Sequence, residues 1–267
     1  MYAFTFRRPE TLRQAANLLS KNGDAKPLAG GHTLLPTMKL RLASPPELID
    51  LSRIEGLEGI ELTGRALTIG AMARHADVHG SPVVQQAIPV LAKLAGMIGD
   101  PAVRHMGTIG GSIANNDPSA DYPAACLGLG ATIVTNKRRI KADDFFTGMF
   151  STALEPAEII TKVSFPIPKK AAYQKFRNQA SRYALVGVFV AKRGGDIRVA
   201  VTGAGANGVF RIQSFEEALK KRFSPKSLEG MTIPADGMNS DIHGSAEYRA
   251  HLVGVLARRA VAEAVGK

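Results

Sequence analysis

The sequence predicts an α+β protein with a larger N-terminal part and a smaller C-terminal part. Strands and helices alternate through the first part, whereas three strands followed by two helices dominate the second. A proline-containing stretch at 166–170 separates the two patterns, so we place the boundary at residue 168. The predicted units are residues 1–168, with subdomains of about 1–55 and 56–168, and residues 169–267.

The first subdomain is predicted to alternate strand and helix. Leucine and alanine recur at helical spacing in residues 10–22, and Gly23 then offers a helix stop. A brief strand leads into the glycine pair Gly30-Gly31, and a short helix follows. The predicted order is strand 2–6, helix 10–22, strand 25–29, one or two helical turns within 33–42 and strand 47–51.

The second subdomain is predicted to begin with a hairpin, 60–62 and 66–69, around a turn at residues 63–65. After it we expect helix 83–98, a glycine-rich loop 107–121, helix 122–129, strand 131–135 and a basic strand 137–141. In the C-terminal part we expect strands 173–177, 187–192 and 197–203, helices 214–221 and 245–264, and a surface loop 233–243.

The composition excludes several kinds of redox and metal protein. Cys126 is the single cysteine, so this chain can neither form an internal disulfide nor hold an iron–sulfur cluster, which normally takes four thiolates. The apolar residues around it favour a buried structural thiol. The six histidines show no metal-ligand spacing, and we expect neither a metal ion nor a catalytic residue in this chain.

The formal net charge of +11 would suit a polyanionic partner, but the 34 Lys and Arg residues are scattered along the chain. With 6% aromatic residues and no Trp, the chain has few stacking platforms for nucleic acid, and we expect none to bind. An acidic partner subunit and simple solubility both stay open as explanations of the charge.

No apolar stretch approaches the ~18–20 residues of a membrane-spanning helix, so we expect no transmembrane segment. The N-terminal residues lack the apolar run of a secretory signal. We therefore expect a cytoplasmic protein, either free or peripheral to the inner face of the membrane.

Two glycine pairs, Gly30-Gly31 and Gly110-Gly111, give the strongest functional signal. Each lies next to Thr or Ser, so each loop can offer backbone amides and a hydroxyl to an anion with no Cβ in the way. Two such loops could grip a pyrophosphate from both sides. Taken alone, a glycine pair more often makes a tight turn, and neither loop matches a P-loop or a G-x-G-x-x-G motif. Residues 203–208 come nearest to the latter but lack the following helix.

Polar side chains crowd the segment after the second loop. The side chains that could meet the hydroxyl groups of a bound dinucleotide are those of Asn115, Asn116, Asp117, Ser119 and Asp121. Asx-type turns around Pro118 explain each of them equally well when it is taken alone.

The two loops and their surroundings resemble those of a known family. Residues 29–36, Ala-Gly-Gly-His-Thr-Leu-Leu-Pro, with Met-Lys-Leu-Arg at 38–41, and Thr-Ile-Gly-Gly-Ser at 108–112 are similar to the two FAD loops of the flavoprotein subunits of molybdenum hydroxylases. The medium subunits of the aerobic carbon monoxide dehydrogenases are the nearest in type. Further likeness at residues 48–51, 117–121, 184–188 and 245–249 extends the resemblance over nearly the whole chain.

The resemblance implies a PCMH-type fold, similar to that of vanillyl-alcohol oxidase, in which two α+β subdomains enclose FAD and a C-terminal α+β domain closes over it. Residues 29–33 and 108–112 would hold the pyrophosphate. Asp121 would hydrogen-bond the flavin nucleotide, Ile160 would pack near the ring system, and Tyr183 would lie against the isoalloxazine. The FAD-binding residues expected in this way are Ala29, Gly30, Gly31, His32, Thr33, Leu34, Thr108, Ile109, Gly110, Gly111, Ser112, Asn115, Asp121, Ile160 and Tyr183.

The resemblance also implies a role. In such enzymes a large subunit with a molybdenum–pterin cofactor oxidises the substrate, and a small subunit with two [2Fe-2S] clusters relays the electrons to FAD, within a dimer of heterotrimers. This chain would be the FAD-binding medium subunit and would deliver electrons to NAD+, a quinone or another acceptor. A branch that reduces aromatic thioesters carries a Cys-rich insert, which a chain with one cysteine cannot provide. The sequence does not indicate the substrate, because the large subunit selects it.

Two other functions stay open. A self-sufficient FAD oxidase on a similar scaffold would need a substrate pocket and a catalytic base near the flavin, and no His-Tyr-Asp grouping suggests one. A basic scaffold protein that has lost FAD would fit the charge of +11, but the intact glycine loops argue against it.

Overall fold

Residues 1–266, the part of the chain that the computed structural model describes, form three β-sheets, a short β-hairpin and the helices packed around them. A three-stranded sheet comes first in the chain, a five-stranded sheet second and a four-stranded sheet last. Within these residues, no helix combines the length and the apolar run needed to cross a bilayer.

The first sheet confirms the predicted order of strand, helix, strand, helix and strand. Its elements are β1 (Thr5–Arg7), α1 (Leu12–Lys21), β2 (Lys26–Leu28), α2 (Leu34–Lys39) and β3 (Glu47–Asp50). The strands pair in parallel in the order β1-β3-β2. Helix α1 begins after Thr11, which shares a capping box with Gln14, and it buries Ala15 and Leu19 with Ile49 of β3. The sheet thereby supports the loop between β2 and α2.

The second sheet is antiparallel and carries most of the short helices. Its elements are β4 (Ile60–Thr63), β5 (Ala66–Gly70), α3 (His75–Gly80), α4 (Pro82–Ala87), α5 (Pro89–Gly96), α6 (Pro101–Met106), α7 (Ile109–Asn115), α8 (Asp121–Leu129), β6 (Thr132–Thr135), β7 (Arg139–Lys141), α9 (Ala142–Phe145), β8 (Phe146–Gly148), β9 (Ser151–Thr152) and β10 (Ile160–Pro166). The strand order is β4-β5-β10-β6-β7, and β8 and β9 form the separate hairpin. The predicted hairpin β4–β5, helix α8 and strands β6 and β7 are confirmed.

One predicted helix is two helices in the structure. The apolar spacing predicts a single helix over residues 83–98, but α4 ends at Ala87 and α5 begins at Pro89. Proline has no N–H to donate and disfavours helical geometry in the residue before it. Ile88 accordingly adopts φ −141° and ψ 75°, outside the helical region.

The segment 107–121, predicted to be a loop, contains helix α7. The Thr108 side chain accepts a hydrogen bond from the N–H of Gly111 and so caps a helix that has two glycines in its first turn. The prediction also omits β10, which lies at the centre of its sheet between β5 and β6. Its Val163 and Phe165 are buried in alternation with less buried neighbours, the pattern of a half-buried strand.

The third sheet is antiparallel and buried on both faces. Its elements are β11 (Lys170–Arg177), β12 (Ala184–Arg193), β13 (Asp196–Thr202), β14 (Phe210–Arg211), α10 (Gln213–Lys221), a 3-10 turn (Pro225–Leu228) and α11 (Ala246–Val265), which confirms the predicted strands, helices and the loop 233–243. One face packs on α10 and α11, and the other places Phe189 against α8. Gly128 of α8 permits this approach, because a Cβ there would lie 2.5 Å from Cδ1 of Phe189.

A buried ion pair joins α8 to the third sheet. Nζ of Lys175 in β11 donates to Oδ2 of Asp121 at 2.8 Å, and the hydroxyl of Tyr173 donates to the other carboxylate oxygen. The two charged side chains are 1% and 4% exposed. The Thr202 hydroxyl also bonds to the backbone just before α8, so this end of α8 is held by three side chains of the third sheet.

We predict that Lys175→Met lowers the free energy of unfolding by about 3–5 kcal/mol, because it leaves the Asp121 carboxylate buried without its counter-charge. The double variant Asp121→Asn/Lys175→Met should recover most of this loss, since it removes the charge and keeps an acceptor for Tyr173. Urea denaturation of the flavin-free chains measures both values. If the double variant is as unstable as the single one, the destabilisation does not come from the unpaired charge.

Candidate cofactor-binding site

A cleft of about 780 Å³ lies between the three sheets. Its size falls in the range of small-molecule and cofactor sites. The residues predicted from the sequence that line it are Ala29, Gly30, Gly31, His32, Thr33, Leu34, Thr108, Gly110, Gly111, Ser112, Asn115, Asp121, Ile160 and Tyr183. Ile109 departs from the prediction, because its side chain is fully buried in the core and its N–H donates to the carbonyl of Ala73.

The first glycine loop presents its backbone amides to the cleft. Within residues 1–266, the N–H groups of residues 30–33 donate to no acceptor. Gly31 has φ +71°, a conformation that glycine adopts without strain. Gly30 packs so closely on the second loop that a Cβ would lie 2.1 Å from the carbonyl oxygen of Met106. The first loop can therefore bind an anion through several amides at once.

The second glycine loop differs from the expectation that both loops offer amides. The N–H groups of Gly110 and Gly111 donate to the Ala71 carbonyl and to Oγ1 of Thr108, and that of Ser112 donates to the Thr108 carbonyl. The two bonds to Thr108 form because residues 109–112 are the first turn of α7, whereas the bond to Ala71 joins this turn to the segment after β5. Glycine at 110 serves packing instead, since a Cβ there would lie 2.6 Å from Cβ of Ala71. This loop offers hydroxyls and a surface without side chains.

His75 supports the second loop from behind. Its backbone N–H donates to the carbonyl of Gly107 at 2.9 Å, and a Cβ on Gly107 would lie 2.6 Å from Nε2 of the imidazole. Burial, with smaller contributions from the neighbouring His32 and Arg104, lowers the pKa of His75 from 6.5 to about 4. The imidazole is therefore neutral at pH 7. The sequence gives no sign that His75 lines the cleft.

Asp121 and Lys175 form part of the cleft wall. Burial raises the pKa of the Asp121 carboxyl, while the Lys175 ammonium and the Tyr173 hydroxyl act in the opposite direction. Both carboxylate oxygens already accept bonds from these two side chains, so Asp121 has less capacity for a ligand than the sequence suggests. Lys175 is absent from the predicted set. Its position two residues after Tyr173 on one strand does place the two side chains on the same face.

Glu158 is a second cleft residue absent from the predicted set. Burial alone would raise its pKa, but the bonds it accepts from Arg138, the Glu155 N–H and Thr135 outweigh that effect and lower the pKa to about 2. The charge is thus fully paired at neutral pH, and it fixes the turn that leads into Ile159 and Ile160.

Tyr183 and Ile160 both line the cleft. Tyr183 lies on the connection between β11 and β12, and 48% of it is exposed. Burial of its hydroxyl raises the pKa of Tyr183, and the carboxylates of Asp117 and Asp121 raise it further. Ile160 is buried at the start of β10. The structure brings both residues to the same cleft as the glycine loops, although they are distant in sequence.

Cys126 lies in the middle of α8 and is fully buried. Burial raises the pKa of its thiol well above the ordinary value, so the reactive thiolate is not formed at neutral pH. Among the described residues 1–266, no group of three or more His, Cys, Asp and Glu side chains is arranged to hold a metal ion.

Two family models match consecutive parts of the chain. The FAD binding domain in molybdopterin dehydrogenase matches residues 2–168, and the CO dehydrogenase flavoprotein C-terminal domain matches residues 171–264.

Curated relatives match over nearly their full length. The nicotine 6-hydroxylase medium subunit of Paenarthrobacter nicotinovorans is 37% identical over 98% of this chain and 97% of its own. The carbon monoxide dehydrogenase medium chain of Hydrogenophaga pseudoflava is 35% identical over 97% and 96%. A solved carbon monoxide dehydrogenase structure from the same organism superposes with a TM-score of 0.88 at 35% identity, covering 99% of this chain and 98% of that one. These matches confirm the predicted fold class.

We predict that His75 makes stability depend on pH between 6.5 and 4. The unfolded chain binds a proton on His75 in this range and the folded chain does not, so stability is complete above pH 6.5 and falls as the pH approaches 4. The full effect is roughly 3 kcal/mol. The difference in unfolding free energy between the wild-type chain and His75→Gln, measured by urea denaturation at pH 7 and pH 5, isolates it from the carboxylates. A difference that is the same at both pH values would contradict the prediction.

Proposed function

This chain belongs to the family of FAD-binding medium subunits of molybdenum hydroxylases, and we propose from that membership that it passes electrons from the iron–sulfur clusters of a partner subunit, through FAD, to an external acceptor. FAD is its cofactor, and the chain is one subunit of a multi-subunit oxidoreductase. The substrate is oxidised elsewhere in the complex.

The observation that carries the proposal is the fit of the cleft to a dinucleotide. The amides of residues 30–33 face an anion site, and the hydroxyls of Thr108 and Ser112 lie on the opposing loop. We infer that residues 29–34, 108, 110–112 and 115 hold the pyrophosphate and the sugar hydroxyls. Ile109 supports the second loop from the core, and Asp121 acts through its contacts with Lys175 and Tyr173.

The chemistry that bound FAD would supply is exchange of single electrons on one side and of electron pairs on the other. The residues of this chain bind it, orient it and keep water from it. Tyr183 would lie against the isoalloxazine, and Ile160 would pack near the ring system. The charged side chains Asp121 and Glu158 are already paired within the chain, and His75 lies behind Gly107. This arrangement favours electron transfer over an oxidase that needs its own catalytic base.

We infer two structural units for this role. Residues 1–168 form the FAD-binding domain, with subdomains of about 1–55 and 56–168, and residues 169–267 form the C-terminal domain. The change of sheet between Pro166 and Lys170 supports this division. Lys175 and residues 180–183 then make the C-terminal domain one wall of the cleft.

We propose that the partners are a large subunit with the molybdenum–pterin cofactor and a small subunit with two [2Fe-2S] clusters, in a dimer of heterotrimers. The medium chains of carbon monoxide dehydrogenase and nicotine 6-hydroxylase support this assignment. The charge of +11 suits acidic partner surfaces. The complex would reside in the cytoplasm, free or peripheral to the inner membrane face, and would reduce NAD+, a quinone or another acceptor.

The test is an absorption spectrum of the protein purified together with its partners, followed by acid release and identification of the chromophore. FAD with [2Fe-2S] absorption and molybdenum in two further subunits is the expected result. FAD on an isolated chain that oxidises a substrate unaided would instead identify an oxidase. A colourless protein would refute the proposal.

We predict that Gly111→Asp lowers FAD affinity about a hundredfold or more, because the new carboxylate projects between the loops and repels the pyrophosphate. A Cβ at Gly111 would lie 2.9 Å from Oγ1 of Thr108 and 3.6 Å from Cβ of Ala29. Gly195→Asp is the matched control, since it adds the same charge in the turn between β12 and β13, where a Cβ meets nothing within 4 Å. Flavin content per chain measures both. Full flavin content in Gly111→Asp would place the pyrophosphate elsewhere.

A further inference from the structure

Phe150 occupies a strained position at the tip of the hairpin formed by β8 and β9. Its φ is +53°, in the left-handed region that bulky side chains rarely adopt. Its side chain is 58% exposed and joins none of the core clusters formed by residues 1–266. Strain of this kind persists where the surrounding structure imposes it, and it concentrates at functional sites. Packing within the chain does not account for the aromatic residue here.

Asn116 imposes this conformation. Its side-chain Nδ2 donates to the backbone carbonyls of Gly148 and Ser151, both at 2.8 Å. The backbone carbonyl of Asn116 accepts a hydrogen bond from the N–H of Phe150 at 3.1 Å. These three bonds grip the hairpin on both sides of its tip. Asn116 is itself 1% exposed, so the clamp lies inside the protein and holds Phe150 from within.

The same asparagine fixes the hairpin relative to the glycine loops. Asn116 ends α7, and its N–H donates to the carbonyl of Ser112. The first turn of α7 is the second glycine loop, and seven helical residues span roughly 10 Å. Through Asn116, Phe150 is thus held at a fixed position relative to the second glycine loop.

The Phe150 side chain also faces the same cleft as the glycine loops. Phe150 lines it together with Asn115, Asp117 and Tyr183. Met149, the neighbouring residue at the tip, is exposed to a similar degree and does not line the cleft. The hairpin therefore presents one of its two apolar side chains to the cleft, and it is the one under strain.

We propose that Phe150 is a cofactor-contacting residue, whose ring packs on the isoalloxazine of FAD and shields it from water at the end of the cleft that also holds Tyr183. This inference rests on the proposed placement of the flavin beside Tyr183. An aromatic ring that is largely exposed within the chain would gain contacts on FAD, and this gain would offset the strain of its backbone.

The test is Phe150→Gly in the full-length chain, purified with whatever partners it carries. Glycine tolerates φ +53°, so the melting temperature of the flavin-free protein should stay the same or rise. The dissociation constant for FAD should rise about tenfold because the aromatic contact is lost. The dissociation constant for ADP, measured by competition with FAD, should not change. Met149→Ala is the control and should alter none of the three values.

Three results would overturn the inference. An unchanged FAD dissociation constant would mean that the ring does not touch the cofactor. An equal rise for FAD and ADP would place Phe150 at the adenine end. A lower melting temperature of the flavin-free variant would show that the ring stabilises the hairpin itself. If the wild-type protein itself binds no FAD, the proposed function fails instead, and that outcome is seen before any variant is compared.

Discussion

The cleft depends on the contact between its two glycine loops. Gly30 approaches the backbone of Met106 and Gly107 so closely that even a methyl group there would force the loops apart. One loop belongs to the first sheet and the other to the helices of the second, so this contact joins two separately built units. His75 supports Gly107 from the other side. The geometry of the cleft between the two loops is therefore set by backbone packing, which makes it rigid.

The two loops divide the work. Within residues 1–266, the amides of the first loop are unpaired and can act as donors. Those of the second loop are bonded to Ala71 and Thr108, so that loop offers hydroxyls and a surface that allows close approach. A Gly-Gly pair is thus needed for two different reasons. Gly31 adopts a positive φ in a loop whose N–H groups are unpaired, whereas at Gly110 a side chain would collide with Ala71. A glycine pair in a sequence does not reveal which of the two applies.

Most of the fold could be predicted from the sequence because its elements carry regular signals. Helix α1 shows apolar spacing and a capping residue, and the β4–β5 hairpin is bounded by a turn. The errors have physical causes. Pro89 divides an apolar run that otherwise looks continuous, and the glycines of α7 conceal a helix that Thr108 caps.

The sequence predicts the parts of the site that are formed by the glycine loops. It predicts less well the side chains whose positions depend on contacts with residues distant in sequence. The glycine pairs and the Thr or Ser residues next to them can be recognised in the sequence alone. Asp121 is conspicuous in the sequence, but its ion pair with Lys175 spans 54 residues, and no local pattern reports such a pairing. His75 and Phe150 owe their positions to contacts with Gly107 and Asn116, which only the folded chain brings together.

The burial of the third sheet has a consequence for how a ligand enters the cleft. The third sheet is packed on α8 through Phe189, Tyr173 and the Asp121–Lys175 pair. A hinge movement of the C-terminal part away from α8 would therefore expose an apolar face and break a buried ion pair at the same time. A ligand is therefore expected to enter the cleft without opening this contact between the third sheet and α8. Tyr183 and Phe150, the exposed aromatic residues that line the cleft, lie on two short connections outside this contact, so a dinucleotide can reach the cleft past them while the contact stays intact.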